Sequence, residues 1–176
     1  MRVVAGKYRS RIINAPAGRN TRPTLDQVKE AMFNIIGPRV QGAVVLDLFS
    51  GSGALGIEAI SRGARKVYFN DQALPAINCI KNNLNSLQVS EDYEVTKMTY
   101  KERLKCMEER VDILILDPPY KDKIYEEIIQ YMLDHDLLSS SAVIMIESEL
   151  EAVINPVGNY SIKEYKYGNK KLVYLR

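Results

Sequence analysis

The chain has 176 residues, enough for one domain with a full core and hardly enough for two. At 46% hydrophobic and 26% charged it reads as an ordinary globular protein. No apolar run approaches the roughly 20 residues of a membrane span, and the first residues lack the apolar core of a signal peptide, so a cytoplasmic location is expected. The net charge of +2 conceals an asymmetry: residues 1–24 carry +6, residues 160–176 carry +4, and the remainder carries −8. Ordered basic segments at both ends point to a polyanionic partner, with solvated tails as the alternative.

In chain order, residues 2–14 alternate as a short hairpin around Gly6 and Lys7, followed by a loop to Pro23. Thr24 reads as an N-cap with Gln27 as its capping-box partner, and Val28, Ala31, Met32, Ile35 and Ile36 share one face of the helix that Gly37-Pro38 ends. Val44 to Phe49 is an apolar strand. Ala54 to Arg62 is a helix closed by Gly63, and Lys66 to Asn70 is the second strand. Ala73, Ile77, Ile80, Leu84 and Leu87 stand at helical spacing. Tyr93 to Lys97 is a weaker strand, followed by a helix near Lys101 to Met107 and a strand over Val111 to Leu116. Ile124, Ile128 and Met132 mark another helix, and Ala142 to Glu147 another strand. Ser161 to Tyr167 and Lys171 to Leu175 form a final hairpin turning at Gly168-Asn169. Alternating strands and helices predict an α/β fold: a mostly parallel sheet with helices on both faces and an antiparallel end.

Cys79 and Cys106 fall in predicted helices outside any CxxC or Cys/His cluster, so free thiols and no metal are expected. The single histidine, His135, lies in a polar turn and reads as solvated, not as a catalytic base.

Two loops carry chemistry. The first runs Leu46-Asp47-Leu48-Phe49-Ser50-Gly51-Ser52-Gly53-Ala54-Leu55-Gly56 and fits GxGxxG, a weak signal alone. Asp47 stands where a pyrophosphate would be repelled but a ligand carrying an ammonium group would be held, directly or through water. S-adenosylmethionine, cationic and without phosphate, satisfies that requirement. Gly51 and Gly53 let the backbone approach it closely, with Phe49 and Ser50 in the same turn. An acid at the end of the next strand would take the ribose hydroxyls, and Asp71 is the candidate with Asn70 beside it. Met98 and Thr99, after the third strand, would flank the adenine. In the plainer reading, Gly56 serves helix–sheet packing and Asp71 caps the next helix.

The second loop is Asp117-Pro118-Pro119-Tyr120, at the carboxyl end of a buried strand, where open α/β sheets keep their ligands. The prolines stiffen the backbone and donate nothing. An exocyclic NH2 could donate to Asp117 and to the Pro118 carbonyl while its ring stacks on Tyr120. A Pro-Pro turn without chemistry is the alternative.

These residues resemble the class I methyltransferases that act on amines. Arg2-Val-Val-Ala-Gly-Lys-Tyr-Arg9 and Arg22-Pro-Thr-Leu-Asp-Gln-Val-Lys-Glu-Ala-Met-Phe-Asn34, with both loops and the terminal hairpin, resemble the RsmD family over essentially the whole chain. Two positions depart from it: Ser10 stands where glycine is expected, and Phe69 where the family often has an acid. The resemblance implies a seven-stranded Rossmann-like domain over residues 24–176, a basic extension over residues 1–23, and S-adenosylmethionine as cofactor. It implies a monomer that methylates the N2 amine of a guanine in 16S ribosomal RNA, within the 30S subunit. Asp117, Pro118, Pro119 and Tyr120 would form the catalytic loop. Arg2, Lys7, Arg9, Arg11 and Arg22, with Lys170 and Lys171 at the last hairpin, would contact phosphates.

Other readings remain open at this level: an adenine-N6 methyltransferase on DNA or RNA, a glutamine methyltransferase, a non-catalytic RNA-binding protein on the same scaffold, and a nicotinamide-dependent oxidoreductase. Asn is usual at the Asp117 position of glutamine-modifying enzymes. Asp47 and the absence of a placed His speak against the oxidoreductase.

Overall fold

The computed structural model describes residues 1–16, 24–118 and 124–176. Short apolar runs bounded by glycine turns become the centre of a seven-stranded sheet. In chain order the elements are α1 (Thr24–Ile36), β1 (Val44–Asp47), α2 (Ala54–Ser61), β2 (Lys66–Asn70), α3 (Leu74–Leu87), β3 (Asp92–Thr96), α4 (Tyr100–Lys105), β4 (Val111–Leu116), α5 (Ile124–Asp134), β5 (Leu138–Glu149), β6 (Ile162–Tyr167) and β7 (Lys170–Leu175). A 3-10 turn, Gly37–Val40, links α1 to β1. The strands stand in the order β3-β2-β1-β4-β5-β7-β6. β1 to β5 are parallel and β7 pairs antiparallel with both β5 and β6. The order reverses between β1 and β4, so the strand ends open a crevice there.

Burial on both faces explains the apolar runs Val44-Val45-Leu46 of β1 and Ile113 to Leu116 of β4. Val45, Val67, Phe69, Ile113, Ile115, Val143 and Met145 pack on one face with α1, α2 and α3, whereas Val44, Leu46, Tyr68, Leu114, Leu116, Ile144 and Ile146 pack on the other with α4 and α5.

The expected N-terminal hairpin is reduced to one antiparallel bridge, Arg2 with Ile12, around a set of tight turns. Ser10, at the position where glycine is expected, adopts φ 68°, a conformation that glycine takes without steric cost. The segment is part of the core and not an appendage: Val3, Tyr8 and Ile13 are buried against α1 and α2. Glu58 of α2, fully buried, accepts the Val4 and Ala5 amides at 2.8 and 3.0 Å and pairs with Arg62 at 2.7 Å. Asn83 of α3 exchanges two 3.0 Å hydrogen bonds with the Asn14 backbone and donates at 2.9 Å to the Ser52 carbonyl in the glycine turn. Thr24 begins α1, but its side chain, like Arg22 and the rest of residues 17–23, lies outside the described residues.

Candidate active site

The glycine turn is a scaffold as much as a surface. Gly53 sits at φ 79° as the residue before α2, a backbone that side chains rarely adopt. Gly56 carries the tighter constraint: a Cβ there would stand 2.2 Å from the Phe69 ring. The packing reading of Gly56 is therefore correct, and its partner is the residue that occupies the expected acid position. Phe69 is wholly buried between α2 and α3 and faces away from the crevice.

Asp47 lies beneath this turn. It is 1% exposed, and its Oδ2 accepts the Gly56 amide at 3.0 Å. Burial pushes its carboxyl up to about 7, against the pull of the Gly56 N–H; Asp117 and Asp71 push in the same direction as burial. Ser50 binds the Asp47 carbonyl at 2.7 Å and accepts the Asn70 amide at 3.1 Å. Asn70 ties three segments together, donating to the Leu48 and Met98 carbonyls at 3.2 and 3.1 Å and accepting from Thr96 at 2.9 Å. Asp71 holds the Gly51 amide at 3.0 Å and the Ala73 amide at 2.8 Å, so it shapes both the glycine turn and the start of α3.

A cleft of about 700 Å³ opens across these strand ends. One half is lined by Phe49, Asn70, Asp71, Met98 and Tyr100, the other by Asp117, Pro118, Tyr125, Glu147, Glu149 and Lys170. Phe49 and Tyr100 have ring centroids 6.0 Å apart, which makes an aromatic wall in the first half. The second half is acidic. Burial, Asp117 and Glu149 raise the Glu147 carboxyl to about 7 against the opposing Lys170, and burial with the charge of Asp117 pushes the Tyr125 hydroxyl up to about 12.

Three expected positions are placed differently. Thr99 caps α4 in a capping box with Glu102, and Tyr100 takes its place on the cleft wall. Lys171 is 5% exposed, its ammonium held 2.8 Å from Glu164, so β7 does not present it as a surface cation. Lys170 turns into the cleft and pairs with Glu149 at 3.0 Å. Arg2, Lys7, Arg9 and Arg11 are exposed, and Lys7 also pairs with Glu91 at 2.6 Å. Pro119, Tyr120 and Arg22 lie outside the described residues. Tyr125, Glu147 and Glu149 were not singled out in the sequence, although Glu147 ends a predicted strand and strand ends are where such sites are found.

A family profile described as conserved hypothetical protein 95 matches residues 1–176. Ribosomal RNA small subunit methyltransferase D of Haemophilus influenzae is 33% identical over 169 residues, 94% of this chain and 88% of that protein. The chain belongs to the RsmD family. YlbH of Bacillus subtilis is 38% identical over 154 residues, covering 86% and 84% of the two chains. The solved structure described as putative methyltransferase yhhF from Escherichia coli superposes with a TM-score of 0.88 at 30% identity, over 100% of this chain and 97% of that one. Phe69 is packed in the core, and Asp71 is a carboxylate at this strand end that lines the cleft.

Proposed function

We propose that this protein transfers a methyl group from S-adenosylmethionine to the N2 amine of a guanine in small-subunit ribosomal RNA, presented by the assembled particle. The carrying observation is that Asp117 and Pro118 open onto the same cleft as the glycine turn, Asp71 and the Phe49–Tyr100 wall. The residues of the first half suit the cofactor: aromatic rings for an adenine, a carboxylate for ribose hydroxyls, and buried acids beneath a cationic tail. Asp47 acts through the turn it braces, since its Oδ2 is already engaged by Gly56. When bound, the cofactor supplies an electrophilic methyl group on a sulfonium.

The chain's own residues do the rest. A guanine amine is a poor nucleophile because its lone pair is delocalised into the ring. The Asp117 carboxylate and the Pro118 carbonyl accept its two N–H bonds, which favours a pyramidal nitrogen aimed along the line of attack. Positive charge develops on that nitrogen, and the carboxylate stabilises it before accepting the departing proton. Tyr120 supplies the stacking surface for the base, and Arg2, Arg9, Arg11 and Arg22 the phosphate contacts. Such a pocket needs an unpaired or extruded base.

The test is methyl transfer from labelled S-adenosylmethionine to small subunits lacking the modification, to naked ribosomal RNA and to duplex DNA, with the product nucleoside identified by mass spectrometry. N2-methylguanine in the subunit, lost in Asp117→Ala, is the expected result. N6-methyladenine would keep the chemistry and refute the substrate. Equal activity on a short unstructured oligonucleotide would refute presentation by the particle.

A further inference from the structure

Asp117 is not the only carboxylate in the substrate half of the cleft. β4 and β5 run parallel with Leu116 beside Ile146, so Asp117 and Glu147 follow at adjacent strand ends. Strand spacing puts their backbones about 4.8 Å apart, and the alternation of side chains puts both on the same face. Glu147 is 7% exposed and lines the cleft. Among the described residues no hydrogen bond reaches its carboxylate. Lys170 Nζ stands 3.9 Å away but is held more closely, at 3.0 Å, by Glu149. Its carboxylate opens onto the cleft, where a donor on a bound ligand can reach it.

The chemistry of the bases decides which ligand completes it. Beside its exocyclic amine, guanine carries a ring N–H, a second donor. Adenine and cytosine carry a ring nitrogen with a lone pair there. Two carboxylates side by side therefore match the guanine edge, and an ionised carboxylate beside Asp117 repels the other two. We propose that Glu147 accepts the hydrogen bond from the ring N–H of the target guanine and so selects guanine over adenine, an inference that rests on the guanine-N2 reading above. Glu147 is flanked on the same strand ends by Asp117, Glu149 and Lys170. Burial and the neighbouring acids raise its carboxyl against the pull of Lys170, and a ring N–H donated to it would favour the ionised form.

The experiment uses full-length protein and small subunits reconstituted with either guanine or 2-aminopurine at the methylated position. 2-Aminopurine keeps the exocyclic amine and lacks the ring N–H. Wild type is expected to favour guanine by about 10- to 100-fold in kcat/KM, because the analogue lacks the hydrogen bond to a charged acceptor that guanine makes. Glu147→Ala should lower kcat/KM on guanine by about 10- to 100-fold and leave 2-aminopurine nearly unchanged, so that the preference collapses. Glu147→Gln, whose amide oxygen still accepts, should keep guanine activity within about tenfold of wild type. S-adenosylmethionine affinity, measured by calorimetry, should be the same in all three proteins. If Glu147→Ala lowers both substrates equally, or neither, the inference is overturned while the guanine reading stands. If wild type instead makes N6-methyladenine, both are overturned together.

Discussion

Gly56→Ala sets two effects of opposite sign against each other. Alanine is the better helix former by about 1 kcal/mol, which would stabilise the first turn of α2. The added methyl, however, would meet the Phe69 ring at 2.2, 2.8 and 2.8 Å. That ring is wholly buried, with Gly53 and Ile80 close around it, so it has little room to yield. Overpacking of this kind costs up to about 3 kcal/mol, leaving a net loss of roughly 2 kcal/mol after the propensity gain. For a chain of this size the loss corresponds to a fall in Tm of about 4–8 °C. The assay is thermal and urea unfolding of Gly56→Ala, Phe69→Leu and the double variant. With the ring gone, Gly56→Ala should cost less than about 1 kcal/mol or become stabilising, a coupling that additive, independent sites would not show. An unchanged or raised Tm in the single variant, or strict additivity in the double one, would refute the steric argument.

Three further outcomes follow from the site. Asp117→Asn should lower kcat by about 100-fold or more while cofactor affinity, read by calorimetry, changes little, because the lost group acts on charge that develops only during transfer. Asp47 and Glu147 both have carboxyls raised to about 7 by burial. Folding therefore takes up protons between the ordinary carboxyl range, near pH 4, and pH 7. Stability is greatest at the acid end of that window and falls by up to about 1.4 kcal/mol per pH unit for each group as pH rises through it. Asp47→Asn should flatten urea-derived stability between pH 5 and pH 8, and an unchanged slope would refute the burial argument. Arg9→Glu with Arg11→Glu should raise KM for the ribosomal substrate and lessen its salt dependence, as filter binding across a salt series would show, without altering cofactor affinity.

Much of the fold could be read from the chain because its central strands are buried on both faces. β2 and β4 are built mainly on branched and aromatic residues, Val67-Tyr68-Phe69 and Ile113-Leu114-Ile115-Leu116, and their observed bounds are the expected ones. β5 is longer than its apolar stretch, since Ser139, Ser140 and Ser141 carry no pattern that announces a strand. The N-terminal segment kept its basic residues in view but hid its mode of attachment. Its organiser, Glu58, lies on a helix more than fifty positions away and would pass for a solvated acid. Site residues carried by a local motif were legible: Asp71, Met98 and Asp117 line the cleft. Residues brought in by pairing with a distant strand were not. Lys170 faces the cleft because β7 runs antiparallel to β5 and sets it opposite Glu149.

The N-terminal anchorage also bears on the order in which contacts form during folding. Several of the groups that hold residues 1–16 sit far along the chain, on Glu58, Ser61, Asn83 and Glu91, 53 to 84 positions from their partners. Those contacts can form only once α2 and α3 are in place. Such long loops close slowly. Because Asn83 joins that segment to Ser52, the glycine turn is braced through α3 to residues 1–16, and the two are secured together.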